Sequence, residues 1–169
     1  MKILVTAASK HRSTEEIARA IAEVLEENGL QVVVSSPEKV RSVDEYDAVV
    51  LGSAVYAGHW MKEAKELVDR LGAALAQRSV WLLSSGPIGD PPKPEEDPVD
   101  VAEVMDRTGA REHRVFAGKL VKRGLSFGEK AIVLALRAAE GDFRDWDEIR
   151  SWAAEIAEAV RKQGSKEAR

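Results

Sequence analysis

The feature that most constrains this fold is the alternation of short apolar runs with segments of helical periodicity. Five apolar runs lie at residues 3–5, 32–34, 48–51, 80–83 and 115–117. Runs of this length predict buried strands, and strands that alternate with helices form a parallel sheet with helices on both faces. The run at 48–51 is more apolar than the run before it, so we expect it nearer the centre of the sheet.

The helical segments carry their apolar residues on one face. The first helix is predicted to begin at Ser13 or Thr14 and to end in a left-handed cap at Asn28-Gly29. Further helices are predicted over residues 60–75 and around residues 149–160. This alternation gives no sign of a second domain or of an internal repeat.

One domain accounts for the whole pattern, over residues 1–162, and the polar segment 163–169 is expected to be a frayed tail. Two stretches interrupt the alternation. Residues 86–98 are rich in proline and predict a stiff loop, because a core strand lies on each side of them. Residues 125–139 predict an apolar helix inserted between the fifth strand and the last helix.

Composition excludes several classes of function. The chain has no cysteine, which excludes disulfides, thiolate catalysis and iron–sulfur clusters. Its net charge of -4 gives no general attraction to nucleic acid. Of the scattered His11, His59 and His113, we expect the first two at one edge of the sheet, and we predict no metal site. A signal peptide and a membrane span are not predicted, so a cytoplasmic location is expected.

Three loops follow predicted strands and are rich in small residues: residues 6–14, 52–60 and 84–90. In an open parallel sheet, ligands bind outside the carboxyl ends of the strands. Each loop alone has an ordinary structural interpretation, as a capped helix start or a tight turn. Their coincidence after three strands favours one ligand site.

The first loop suits a phosphate group. It ends at a helix N-terminus, where free N–H groups and the helix dipole attract anions. Ser9, Ser13 and Thr14 add hydroxyl donors, and Lys10 or Arg12 adds positive charge. The Walker pattern and the dinucleotide-binding glycine pattern are both absent.

The second and third loops suit a flat ligand. Glycines let the backbone approach a ring closely, and Tyr56 or Trp60 is able to stack on it. Trp60 lies inside the predicted helical pattern, so packing under that helix is the stronger interpretation for it. Tyr56 is therefore the preferred stacking residue.

These motifs resemble a known family. The sequence A-S-K-H-x-S-T before a helix is similar to the flavodoxin phosphate loop in its variant S-[KR]-H-G-x-T. Residues 46–60, YDAVVLGSAVYAGHW, resemble the corresponding segment of menaquinone-dependent protoporphyrinogen oxidases. Residues 142–157 and the inserted helix before them also resemble that branch. The resemblance covers nearly the whole chain.

The resemblance implies a flavodoxin-like three-layer sandwich, with a five-stranded parallel sheet in the order 2-1-3-4-5, and FMN as cofactor. It places the phosphate on the first loop and the ring between the other two. The implied cofactor-binding residues are Ser9, Lys10, His11, Arg12, Ser13 and Thr14 on the first loop, Ser53, Ala54, Val55, Tyr56, Ala57 and Gly58 on the second, and Ser85, Gly86, Pro87, Ile88 and Gly89 on the third.

Two departures from the family pattern stand out. Arg12 occupies the usual glycine position, so it is strained if that position requires positive φ, or its guanidinium adds phosphate affinity. The third loop, G-P-I-G-D-P-P-K-P, differs from that of the oxidases, so the substrate is left open. No catalytic residue is assigned, although His59 is considered as a proton carrier.

The resemblance implies an FMN-dependent oxidoreductase that exchanges electrons with a quinone, a small substrate or a redox partner protein. Two alternatives are a flavodoxin-type electron shuttle and a flavin-free scaffold. Lys119, Lys122 and Arg123 form a basic cluster that is either a solvated rim or a docking surface for an acidic partner or a membrane. The helix at 127–139 is expected to pack in the core rather than on a membrane.

Overall fold

A parallel sheet lies at the centre of the computed structural model, which describes residues 1–86, 97–121, 123–135 and 140–167. The strands are β1 (Lys2–Ala8), β2 (Gln31–Ser35), β3 (Ala48–Tyr56), β4 (His59–Trp60), β5 (Ser79–Ser85), β6 (Glu112–Phe116), β7 (Lys119–Leu120) and β8 (Gly141–Asp142). The helices are α1 (Ser13–Glu27), α2 (Lys62–Leu75), α3 (Val101–Thr108), α4 (Phe127–Ala135) and α5 (Trp146–Glu167), with a 3-10 turn at Pro37–Lys39.

The sheet has the strand order β2-β1-β3-β5-β6, and all of these neighbours pair in parallel. This confirms the predicted order 2-1-3-4-5, because β4 is a short strand that pairs only with the end of β3. β3 is the central strand, and its first eight residues are buried. The carboxyl ends of β1, β3 and β5 therefore lie side by side.

Two apolar cores form the layers on either face of the sheet. One core joins α1 and α5 to the sheet, and the other joins α2 and α3 to it. In the first core the rings of Phe116 and Trp152 meet edge to face, with their centroids 5.4 Å apart. Helices on both faces confirm the predicted three-layer arrangement.

The structure corrects the sequence analysis at two helix boundaries. Trp60 belongs to β4 rather than to the helix predicted from residue 60, and α2 begins at Lys62. The last helix continues to Glu167, so residues 163–167 are helical rather than frayed. The cap at Gly29 has the expected left-handed conformation, with φ 82°.

The segment after β6 adds a small unit that the apolar pattern predicted only in part. β7 and β8 pair antiparallel, with Lys119 opposite Asp142, and α4 lies between them in the chain. Phe127 and Leu134 of α4 are 91% and 80% exposed. The expectation of core packing for this helix is therefore wrong for these two side chains.

Candidate functional site

A cavity of about 470 Å³ opens at the carboxyl ends of β1, β3 and β5. The predicted site residues that line it are Ser9, Lys10, His11, Arg12, Ser13, Thr14, Ala54, Val55, Tyr56, Ala57, Ser85 and Gly86. A cavity of this size is in the usual range for cofactor sites. The three loops singled out in the sequence thus meet at one place.

Two of the predicted residues that the structure describes, Ser53 and Gly58, do not line the cavity. Ser53 is fully buried, and its hydroxyl accepts a hydrogen bond from Met61 N at 2.8 Å. Gly58 follows Ala57 in the turn between β3 and β4. Pro87, Ile88 and Gly89 lie outside the described residues.

The first turn of α1 offers free hydrogen-bond donors to the cavity. The first helical bond runs from Glu16 N to Arg12 O at 2.9 Å, and no described side chain caps the helix. The N–H groups of Ser13, Thr14 and Glu15 therefore lack helical partners. The Ser13 hydroxyl is buried and also has no partner among the described residues. This donor set fits a phosphate group.

Arg12 adopts the left-handed conformation at the N-cap of α1, with φ 65°. The sequence predicted strain at Arg12 if this position requires positive φ, and the structure shows that it does. A residue with a Cβ pays a conformational cost there that glycine does not. The guanidinium of Arg12 nevertheless belongs to a residue that lines the cavity.

Arg144 contacts the same turn of α1, and the sequence did not predict this interaction. Its Nη1 donates to Ser13 O at 3.3 Å and contacts Glu16 Oε2 at 2.5 Å. Its Nη2 contacts Asp142 Oδ2 at 2.8 Å, and the side chain is almost completely buried. Arg144 thus ties β8 to the start of α1.

Glu129 of α4 contacts two basic side chains of the first loop, Lys10 and His11. Its Oε1 lies 2.5 Å from Lys10 Nζ, and its Oε2 pairs with His11 Nε2. Burial opposes the charged carboxylate, but hydrogen bonds from Lys10, His11 and Ser126 outweigh it and lower the pKa of Glu129 to about 2. Sequence reasoning missed this residue, because Glu129 is 118 positions from His11.

Tyr56 and Trp60 occupy different environments. Tyr56 lines the cavity, and burial together with the charge of Glu129 raises its pKa to about 12. The phenol is therefore neutral at physiological pH. Trp60 is buried outside the cavity lining, where its Nε1 donates to Ser84 Oγ at 2.8 Å.

The turn that carries Ala57 and Gly58 is stabilised by hydrogen bonds to residues that are distant in the sequence. Both residues have positive φ, 49° and 80°, which suits a tight hairpin between β3 and β4. Gly58 O accepts from Val99 N at 2.9 Å. Asp100 Oδ2 accepts from Trp60 N at 2.9 Å and lies 3.2 Å from His59 Nδ1.

The two histidines at this edge of the sheet have different partners. His11 lines the cavity and pairs with Glu129, whereas His59 pairs with Asp100 and does not line it. His59 is correspondingly disfavoured as a proton carrier. Within the described ranges, no group of three or more His, Asp or Glu side chains is arranged to hold a metal ion.

The third histidine joins the buried Ser84 to the exposed Asp97. His113 Nε2 lies 2.7 Å from Ser84 Oγ, and its Nδ1 lies 3.2 Å from Asp97 Oδ1. These residue types form the triad of serine hydrolases. Ser84 has no exposed surface, and its hydroxyl also accepts from Trp60, so the arrangement is structural.

The inserted unit supplies the remaining wall of the cavity, which the sequence did not predict. This wall consists of Gly118, Lys119, Leu120, Val121, Arg123, Leu125, Glu129 and Val133. Lys119 and Arg123 of the basic cluster thus face the cavity rim, and Lys122 lies outside the described residues. None of the described helices is both long and apolar enough to cross a bilayer.

Comparisons with known proteins agree with this geometry. The protoporphyrinogen IX dehydrogenase [quinone] of Escherichia coli strain K12 is 24% identical, over 96% of this chain and 98% of that protein. An archaeal flavodoxin superposes with a TM-score of 0.65 and 22% identity, over 95% of this chain and 99% of its own. Flavodoxin 2 from Bacillus cereus superposes with a TM-score of 0.60 and 23% identity, over 96% and 99%.

The model of the flavodoxin domain matches residues 4–147. That range includes most of β1, the other four parallel strands and the three loops around the cavity. Membership supports a flavin-binding redox protein. The chain belongs to the flavodoxin domain family.

Proposed function

We propose that this chain is an FMN-dependent oxidoreductase, with the phosphate on the first loop and the flavin ring between the second and third loops. One observation carries the proposal. The first turn of α1 and the Ser13 hydroxyl, which have no capping or hydrogen-bonding side chain among the described residues, line the same cavity as Tyr56 and Gly86. A polar end and an aromatic, glycine-containing end match the two ends of FMN.

Each part of the cavity has a definite role in this proposal. The N–H groups of Ser13, Thr14 and Glu15 and the Ser13 hydroxyl bind phosphate oxygens, which the helix dipole also favours. Tyr56 packs on the ring as a neutral phenol, since its pKa is about 12. The bound flavin supplies hydride or single-electron transfer, and the protein supplies position and exclusion of water.

The enzyme proposal is favoured over a simple electron shuttle by the inserted unit. The residues of this unit that line the cavity close one side of it and add a wall where a small substrate is able to pack. The similarity to a quinone-dependent dehydrogenase extends along 96% of the chain, inserted unit included. A quinone is therefore the proposed electron acceptor, and a porphyrinogen-like compound is one candidate donor.

We further propose that α4 brings the cavity to an anionic membrane surface where quinone is dissolved. Phe127 and Leu134 are seven residues apart and exposed on one face, with exposed Lys130 between them. Lys119 and Arg123 add exposed positive charge nearby, on a protein whose net charge is -4. Apolar and basic residues on one face are typical of peripheral membrane contact.

The proposal is tested first by binding. Titration of purified protein with FMN and riboflavin, followed by flavin fluorescence, is expected to show tight FMN binding and weaker riboflavin binding. If the purified protein is colourless and does not bind FMN at micromolar concentration, it is instead a flavin-free scaffold.

The reaction is tested on the FMN-loaded protein under anaerobic conditions. Quinones, a porphyrinogen and a carrier-type acceptor are offered in parallel, and flavin absorbance is followed. Turnover with a quinone and a small reductant supports the enzyme. Rapid exchange with redox proteins alone would contradict it and would identify an electron shuttle.

A further inference from the structure

Glu129 places a negative charge at the first loop, beside the proposed phosphate site. Its carboxylate is buried, lines the cavity and contacts Lys10 and His11. Lys10 and His11 are basic side chains of the first loop, and both contact this one carboxylate from α4.

The start of α4 holds this carboxylate in place. The Ser126 hydroxyl donates to Glu129 Oε1 at 2.9 Å and accepts from Glu129 N at 3.3 Å. This is a variant of the capping box, in which a serine and the glutamate three residues later satisfy the first turn of a helix. The position of Glu129 is therefore set by its own helix, and Lys10 and His11 contact it there.

A phosphate on the first loop and the Glu129 carboxylate require the same donors. A phosphate monoester carries between one and two negative charges at neutral pH, and it gains most from hydrogen bonds to cations. Lys10 and His11 are unable to satisfy both anions fully. The two anions also repel each other across a partly buried site, where the effective dielectric constant is low.

We propose that Glu129 is an internal competitor of the FMN phosphate for Lys10 and His11. It lowers the affinity of the first loop for phosphate, and flavin binding transfers the contacts of these two side chains from Glu129 to the phosphate. The state of the phosphate site is thereby coupled to the helix that closes the cavity. This inference rests on the proposed FMN site.

Glu129→Gln tests the competition, because glutamine keeps the shape and removes the charge. Glu158→Gln is the matched control, since Glu158 pairs with Lys162 on α5, away from the cavity. FMN and riboflavin are titrated into each protein. The Glu129 variant is expected to bind FMN about tenfold more tightly, the scale of a hydrogen bond to a charged group, with riboflavin binding unchanged. The control variant is expected to match the parent protein.

Three outcomes would overturn the inference: weaker FMN binding by the Glu129 variant, unchanged FMN binding, or equal gains for FMN and riboflavin. Ser126→Ala provides a second test that keeps the charge. It releases the carboxylate from its anchor, and we expect a smaller gain in FMN affinity. A loss of affinity in that variant would overturn the inference and mean that Glu129 positions Lys10 and His11 for phosphate.

Inorganic phosphate separates this inference from the proposed function. Phosphate is titrated while the backbone amide signals of Ser13 and Thr14 are followed by NMR. If neither protein binds FMN but phosphate binds more tightly to the Glu129 variant, the proposed function fails and the competition stands. If FMN binds and the variant changes neither FMN nor phosphate affinity, only the competition fails.

Discussion

The indole Nε1 of Trp60 donates a hydrogen bond to the hydroxyl of Ser84 at 2.8 Å. The bond joins β4 to β5 at the carboxyl end of the sheet, and both side chains are buried. Because Ser84 accepts from Trp60, its own proton is available for His113 Nε2, 2.7 Å away. One hydroxyl thus satisfies two buried partners.

Ser84→Ala leaves the indole N–H and the imidazole nitrogen without partners. We expect the free energy of unfolding to fall by about 1–3 kcal/mol, the cost of an unsatisfied buried polar group. Urea unfolding measures the change. Ser151→Ala, on the exposed face of α5, serves as the control and is expected to stay within about 0.5 kcal/mol of the parent. An equally small effect of Ser84→Ala would contradict this role.

Arg12→Gly separates backbone strain from phosphate binding. Glycine adopts φ 65° without the cost that arginine pays, so stability is expected to rise by about 1 kcal/mol. FMN affinity is expected to fall, because the guanidinium is lost from the cavity. Arg12→Ala is the matched control, since alanine loses the charge but keeps the strain. Equal thermal stability of the glycine and alanine variants would argue against strain at this position.

The double variant Ser13→Ala, Thr14→Ala tests the phosphate site directly. We expect FMN binding to weaken by about 1–3 kcal/mol, the scale of lost hydrogen bonds to a charged group. Riboflavin has no phosphate, so its affinity is expected to remain unchanged. Fluorescence titration of both flavins makes the comparison. Unchanged FMN affinity would place the phosphate elsewhere.

His113 is expected to make stability depend on pH. Burial lowers its pKa below the ordinary 6.5, and the nearby Asp97 offsets only part of that effect. Between the folded pKa and 6.5 the unfolded chain binds more protons, so the free energy of unfolding falls as pH falls through that window. His113→Gln should remove this slope, as measured by urea unfolding at several pH values. A slope unchanged in the variant would assign it to other groups.

The exposed face of α4 is tested with lipid vesicles. Sedimentation with vesicles that contain anionic lipid is expected to capture the protein, and neutral vesicles to capture less of it. Phe127→Ser with Leu134→Ser should reduce capture severalfold without loss of stability, because both side chains are exposed. Lys166→Ser, at the far end of α5, is the control. Equal capture by all variants would rule out this face.

Much of the fold followed from the sequence because each strand and each long helix carries its own local signal. The five parallel strands are short apolar runs, and their order follows from the family resemblance. The helix α3 was missed, although Val101, Val104 and Thr108 are buried at helical spacing, because it is short and follows the proline-rich stretch. Trp60 was placed in a helix because its spacing to Ala64 and Leu67 is also helical.

The sequence predicted only those parts of the candidate site whose residues lie close together in the chain. The loop after β1 was found from its residue types alone. The contact of Glu129 with His11 joins residues 118 positions apart, and no local pattern encodes it. Gly52 was interpreted as a close approach to a ligand, yet a Cβ there would lie 2.7 Å from Leu83 Cγ. The glycine is needed by neighbouring strands of the core.

β7 and β8 pair with each other and form a two-stranded sheet that is separate from the parallel sheet. Leu120 lies opposite Gly141, and Phe143 N donates to Gly118 O at 3.1 Å, so the chain leaves and returns at one point. Changes in the length of a connection whose ends are already fixed cost little chain entropy. The segment between them is therefore free to change in length during evolution, whereas a change at Glu129 would also alter the loop after β1.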